Sequence, residues 1–320
     1  MSILHFCNTF FEYELEGKIP LSLEEACKKN SLFLQLQFLP LLYAQKNEGI
    51  LVTDLPKESF SHSFFLMTGP FPSIKKIETW GSSQLVGRWA REKGIEYAMP
   101  PWEVVKKVNS KSYSFAKSPL PGGQLLFPGD QVEGRKILKS CFGTAGRGMI
   151  FSDHPKSLAF CQEQWNVGLP VIAEPWVERS LDFSTQWEIS QSGAIAFLGT
   201  TLCKTTSTGM HQSNTAGMKH LPSFVEEQKA VAREVLKEMA GWGYFGNVGF
   251  DAMLYGKNQL QPIVEINARK TMGWVTLMYQ KKNYPDREIE LTFVASKQKG
   301  LLPIELGAVK FSRQVVIHLR

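Results

Sequence analysis

Residues Pro262-Ile-Val-Glu-Ile-Asn-Ala-Arg269 join a short apolar run to three polar side chains spaced two apart. Strand side chains alternate faces. Glu265, Asn267 and Arg269 therefore share one face if the strand runs to its end, and Val264 and Ile266 take the other. Upstream, Val248-Gly-Phe-Asp251 reads as a second strand, with Gly256-Lys-Asn258 as the turn between the two. Folding the hairpin about that turn sets Asp251 opposite Glu265. Two carboxylates and an amide oxygen then converge, with a guanidinium beside them. Any one of these residues alone reads as a solvated side chain on a hairpin's outer face. The four together suit Mg²⁺, with Mn²⁺ as its substitute, because that ion takes one or two carboxylates plus phosphate oxygens and water. Asp251, Glu265 and Asn267 are the candidate ligands, and Arg269 is placed to hold an anion.

Working back along the chain, Lys139-Ser-Cys-Phe-Gly-Thr-Ala-Gly-Arg-Gly-Met149 sets a lysine ahead of three glycines. Lys136–Lys139 predicts a strand entering the glycine loop, and Met149–Ser152 its antiparallel return. The lysine comes first, so no P-loop is present. Gly241-Trp-Gly-Tyr-Phe-Gly246 matches a dinucleotide fingerprint by letter, yet it follows a helix and leads into a strand. That order is the reverse of what a pyrophosphate site at a helix N-terminus needs, so the segment reads as a helix C-cap and turn. Cys141, inside the loop, has no neighbouring His that would make it a nucleophile.

Together the strand-lysine-glycine loop and the E-x-N-x-R strand resemble the ATP-grasp superfamily over roughly residues 100–275. The resemblance implies a nucleotide held between two α+β lobes. It implies phosphate contacts from Lys139 and from Lys111, which precedes a helix, and from the loop glycines Gly143, Gly146 and Gly148. The hinge strand Ala173-Glu-Pro-Trp-Val177 is similar to the one that meets adenine, which makes Glu174, Trp176 and Val177 nucleotide-binding candidates. Asp182, or else Glu178, would hold ribose. The implied chemistry is ATP-dependent activation of a carboxylate as an acyl phosphate, with release of ADP and attack by an amine. Lys139 and Arg269 are the catalytic candidates, and Arg269 would hold the acceptor carboxylate and then the acyl phosphate. A small-molecule kinase, or a nucleotide-binding regulator without turnover, is the alternative within the same fold.

The remaining chain is consistent with this organisation. A parallel α/β domain of the kind that precedes ATP-grasp is expected at 1–98, followed by a small lobe with the glycine loop at 99–173. A large lobe with the metal hairpin is expected at 174–320. Ile50–Thr53 and Phe64–Met67 predict buried strands, Ser83–Lys93 a helix ended by Gly94, and Trp102–Ala116 a helix. The clearest helix is Phe224–Met239, with Phe224, Val231, Val235 and Met239 as its apolar face and a Ser223/Glu226 capping box. The polar stretch Lys204–Gly217 reads as a long loop, either solvated or shaping an acceptor pocket through Lys204 and His211.

Composition excludes several other classes. The net charge of +6 is spread in isolated lysine pairs over 320 residues, so a nucleic-acid partner is not expected. The five cysteines are odd in number and contain no CxxC pair, which fits reduced thiols in a cytoplasmic compartment. No basic region precedes an apolar run at the N-terminus, and Leu32–Ala44 is too short and too interrupted to span a bilayer. The expected partners are a small-molecule carboxylate and an amine, with a homo-oligomer possible and no membrane contact.

Overall fold

Gly49-Ile-Leu-Val52 is buried at every position, as a strand covered on both faces must be. A computed structural model describes residues 3–18, 20, 22–143, 148–206, 211–219, 221–295 and 300–320. The chain divides into two units: Met1–Trp102, Ser213–Lys219 and Arg269–Arg320 form the first, and Glu103–Gln212 with His220–Ala268 the second.

The first unit opens with a parallel sheet of β1 (Ile3–Phe6), β2 (Gly49–Val52), β3 (Ser63–Leu66) and β4 (Lys76–Thr79), in the order β3-β2-β1-β4. Helices α1 (Phe11–Leu15), α2 (Leu23–Lys28), α3 (Ser31–Leu36) and α4 (Gln84–Glu92) accompany it. β3 is less buried than its sequence implies: Phe64 and Phe65 are half-buried and Leu66 is exposed, because the strand lies at the sheet edge. α4 starts as expected, with the Ser83 side chain accepting from Val86 N–H, and Gly94 follows its end at φ +66°. Asn8 joins the ends of β1 and β4, accepting from Trp80 and Gly81 N–H and donating to Gly81 O. Glu14 accepts from Ser83 Oγ and Leu85 N–H at the start of α4, and burial pushes its pKa up.

In the second unit, the expected helix over 102–116 is two helices, α5 (Trp102–Asn109) and α6 (Lys111–Lys117), broken at Ser110. Ser110 is extended at ψ 132° and its hydroxyl caps Ser112 N–H. Serine competes for backbone donors in this way, favouring a cap over continuation. A four-stranded sheet, β5-β8-β6-β7, comprises β5 (Gln124–Leu126), β6 (Lys136–Lys139), β7 (Met149–Phe151) and β8 (Val171–Pro175). α7 (Ser157–Trp165) covers one face, where Leu126, Leu138, Cys161, Val171 and Ala173 make the core.

The rest of this unit is antiparallel: β9 (Arg179–Ile189), β10 (Ile195–Thr205), β12 (Gly246–Tyr255) and β13 (Gln259–Asn267) lie in the order β13-β12-β9-β10. α8 (Phe224–Gly241) packs on the face carrying Phe183 and Ala252. Its buried residues are Val225, Gln228, Ala232, Val235, Leu236 and Met239. Of the expected face, Val235 and Met239 are buried, Phe224 is half-buried against Phe183 and Val231 is half-buried, so the stripe is wider than expected and takes in Val225. The capping box is absent: Ser223 is itself helical and its side chain caps nothing, while Glu226 pairs with Lys229 at 2.7 Å. The Gly241–Gly246 segment is the expected helix end and turn into β12, with Gly243 at φ +85°.

Among the described residues, the polar 204–217 stretch is mostly strand rather than loop. Lys204 and Thr205 end β10, and β11 (His211–Ala216) follows, with Ser213, Asn214 and Thr215 buried. Its part from Ser213 pairs in the first unit with β14 (Ile289–Ala295), which pairs in turn with β17 (Arg313–Leu319). α9 (Met272–Asn283) and a small hairpin of β15 (Glu305–Leu306) and β16 (Val309–Lys310) complete that unit. Among the described residues, no helix is long and apolar enough to cross a membrane.

Candidate functional site

The β12–β13 hairpin has the register its sequence implies. Asp251 lies opposite Glu265 and Gly249 opposite Asn267, and the turn at Gly256–Asn258 uses positive φ at both ends. The register shifts between Asp251 and Met253, where Pro262 on β13 has no N–H to give the ladder. Asn267 Nδ2 donates to Asp251 Oδ2 at 2.8 Å. Across the sheet, Asp251 pairs with Ser184 and Asp182 with Cys203, so Asp182, Asp251 and Glu265 share the face opposite α8. The half-buried Cys203 thiol is pushed well up by desolvation and then by the charges of Asp251 and Asp182 on the same sheet.

β13 is an edge strand whose unpaired donors are met by the two short helices. Ser114 Oγ accepts from Ile266 N–H at 3.0 Å, and Asn109 Oδ1 from Ala268 N–H at 3.0 Å. Lys111 lies between these two tethers in sequence and begins α6. Its Nζ reaches Glu265 Oε1 at 2.7 Å and Gly143 O at 2.6 Å, and its N–H donates to Cys141 O at 2.8 Å. One lysine thus joins the metal-candidate hairpin to the start of the glycine loop.

Lys139 ends β6 and pairs with Glu174 of β8, each side chain only 14% exposed. Ile137 is the direct cross-strand partner of Glu174, so the lysine reaches diagonally along one face while Leu138 enters the core on the other. Ser140 N–H donates to Gly148 O at 2.9 Å, closing the loop's base. Gly148 has φ +74°, and a Cβ there would collide with Ser140 Oγ, so glycine is required. Gly143 has φ +128°; Gly146 lies outside the described residues. Cys141 is fully buried with its thiol on Pro170 O, which suits a packing role rather than a nucleophile.

Beyond β8 the chain borders a pocket of about 430 Å³, lined by Trp176–Asp182 and Cys203–Thr206. Of the sequence candidates it gathers Trp176, Val177, Glu178 and Asp182, together with Lys204. Asp182 accepts from Thr205 Oγ1 at 2.8 Å and from Arg179 Nη1 at 3.3 Å. The His211 side chain lies outside the described residues.

Arg269 departs from expectation. β13 stops at Asn267, two residues short of it, so the shared face does not extend that far. In the first unit, Arg269 Nε donates to Glu12 Oε1 at 2.7 Å and Nη1 to Lys270 O at 3.3 Å. Lys270 is tied by its N–H to Trp80 O and by Nζ to Thr79 O. Sequence reasoning missed Glu12 and Arg179: Glu12 is 257 positions from its partner, and no local pattern marks it.

The oxygen donors fit a divalent ion. Two carboxylates in cross-strand register and a neighbouring amide match the hard-ligand preference of Mg²⁺, and the Lys111 ammonium on Glu265 shows that this carboxylate takes a cation.

No family model matches the chain. A curated relative, the [butirosin acyl-carrier protein]–L-glutamate ligase of Niallia circulans, is 27% identical over 163 residues. The match takes in 46% of this chain and 36% of that protein, so the chain spans about a third of the relative's length. Among solved structures, N5-carboxyaminoimidazole synthetase from Staphylococcus aureus, complexed with ADP, superposes with a TM-score of 0.57 at 11% identity, covering 99% of this chain and 93% of that one. The biotin carboxylase domain of Hydrogenobacter thermophilus 2-oxoglutarate carboxylase, with MgADP, ADP and bicarbonate, gives 0.54 at 15% identity, covering 92% and 74%. The chain has the ATP-grasp fold, with an N-terminal α/β domain.

Proposed function

We propose that this ATP-grasp chain uses ATP and Mg²⁺ to activate a carboxylate for attack by an amine. The observation that carries this reading is the meeting, within one unit, of Lys111 with Glu265 and the glycine loop, beside the Asp251–Asn267 pair. A carboxylate oxygen attacks the γ-phosphorus, the bond to the β-phosphate oxygen breaks, and ADP leaves with its electron pair. The amine nitrogen then attacks the acyl carbon. Inorganic phosphate leaves, and the nitrogen gives up a proton to form the amide.

Such a reaction asks the protein to position phosphates and to offset their charge. Lys111 and Lys139 supply that charge, and the loop glycines Gly143, Gly146 and Gly148 are further phosphate contacts. Glu174, Trp176 and Val177 border the base, with Asp182 on the ribose. Asp251, Glu265 and Asn267 would hold Mg²⁺, which would supply charge neutralisation at the phosphate oxygens. Arg269 holds the acceptor carboxylate and then the acyl phosphate. Five free cysteines support a reducing, cytoplasmic setting.

The relative's name makes L-glutamate the first carboxylate to try and an acyl-carrier protein one acceptor to include. The test is an ADP-release screen with Mg²⁺ and pools of carboxylates and amines. ADP formation that needs both pools, and that falls to background in Glu265→Gln with the fold intact, is expected. A stable phosphorylated acceptor formed without any amide would overturn ligation in favour of a kinase.

A further inference from the structure

Lys111 is held more firmly than a phosphate-seeking lysine needs to be. Its ammonium sits between a carboxylate oxygen at 2.7 Å and the Gly143 carbonyl at 2.6 Å, with its side chain 14% exposed. Hydrogen bonds to the backbone fix both sides of this arrangement. Lys111 N–H is bound to Cys141 O, and Asn109 and Ser114 tie the flanking helices to β13 just beyond Glu265. The ammonium is therefore built into the position where a cation meets Glu265.

A divalent ion makes the same demand on the same carboxylate. Mg²⁺ binds carboxylate oxygens at about 2.0–2.1 Å and keeps several waters, so it would stand within a few ångströms of the ammonium. Two cations so close repel strongly in a partly buried site. Asp251 and Glu265 contribute two negative charges and Lys111 cancels one, which leaves the hairpin a weaker trap for a divalent ion than its ligands alone would make. A nucleotide changes the balance, because its phosphate oxygens offer the lysine a second anionic partner within reach of its flexible stem.

We propose that Lys111 is a placeholder cation: without nucleotide it occupies Glu265, and it yields that carboxylate to the metal when a phosphate draws it away. The proposal rests on the metal assignment made above. It predicts that the metal enters with or after the nucleotide rather than before it, and that Glu265 keeps a cationic partner between turnovers.

The test is Mn²⁺ binding to the nucleotide-free full chain, followed by the electron paramagnetic resonance signal of the free ion. Lys111→Met and Lys111→Gln are compared with wild type, and the second variant guards against misfolding of the first. Both neutral variants are expected to bind Mn²⁺ at least tenfold more tightly than wild type, and ADP should narrow that gap. Equal or weaker Mn²⁺ affinity in a folded variant overturns the placeholder role, even where ADP-dependent Mn²⁺ binding by wild type leaves the metal assignment standing. No Mn²⁺ binding by any form, with calorimetry still recording ADP, overturns the metal assignment and the placeholder together.

Discussion

At the scale of single residues, both candidate phosphate lysines carry a carboxylate partner: Lys111 has Glu265 and Lys139 has Glu174. Such pairs keep two largely buried charges in place, and removing one partner strands the other. Stability and nucleotide binding must therefore be separated in any variant. Lys139→Met is expected to lose at least about tenfold in ADP affinity, roughly 1.4 kcal/mol, and also to lower thermal stability by leaving Glu174 unpaired. The double variant Lys139→Met/Glu174→Gln should regain stability without regaining affinity. Wild-type affinity by calorimetry in either variant would remove Lys139 from the nucleotide site.

At the scale of elements, the site depends on an edge strand served by two short helices. Lys111 meets Glu265 because Asn109 and Ser114 satisfy the N–H groups of Ala268 and Ile266 on either side. Ser114→Ala leaves the buried Ile266 N–H without that acceptor, a loss of about 1–3 kcal/mol. Urea unfolding should show this as a lower midpoint at unchanged slope. A midpoint equal to wild type would mean that water replaces the hydroxyl there. The hairpin, the strand into the glycine loop and its return were legible from alternation and turn residues, because those signals are local. The helix break at Ser110 and the wider stripe of α8 were not. The first needs Ser110 to leave the helical conformation and cap Ser112, which the apolar pattern does not mark, and the second depends on the surface of β9 and β12, against which both Val225 and Phe224 pack.

At the scale of the whole molecule, the first unit carries a buried titratable group that couples its stability to pH. His5 in β1 is buried and faces Glu48, Glu78, Lys270 and Tyr43. Burial, then the Lys270 charge, lowers its pKa below 6.5, against the raising effect of the two glutamates. The unfolded chain then binds the proton more readily than the folded one. This contribution to stability is present above the unfolded pKa of about 6.5 and is lost as pH falls through and below it. Between pH 7.5 and 5.5 the melting temperature of wild type should fall more steeply than that of His5→Gln. Parallel slopes would show that other groups govern the acid limb.

What could be read from the chain alone was whatever repeats over a few residues: the two-residue alternation of Glu265 and Asn267, the glycines after Lys139, and the order of strands and helices. These sufficed for the ATP-grasp fold and for the register that sets Asp251 opposite Glu265. Ion-pair partners could not be read, since Lys111 and Glu265 lie 154 positions apart and Glu12 and Arg269 lie 257 apart. Nor could the end of β13 at Asn267, which leaves Arg269 in the first unit with Glu12. Local periodicity carries conformational preference, whereas the choice of partner for a buried charge is made by whichever opposite charge the completed fold brings within reach.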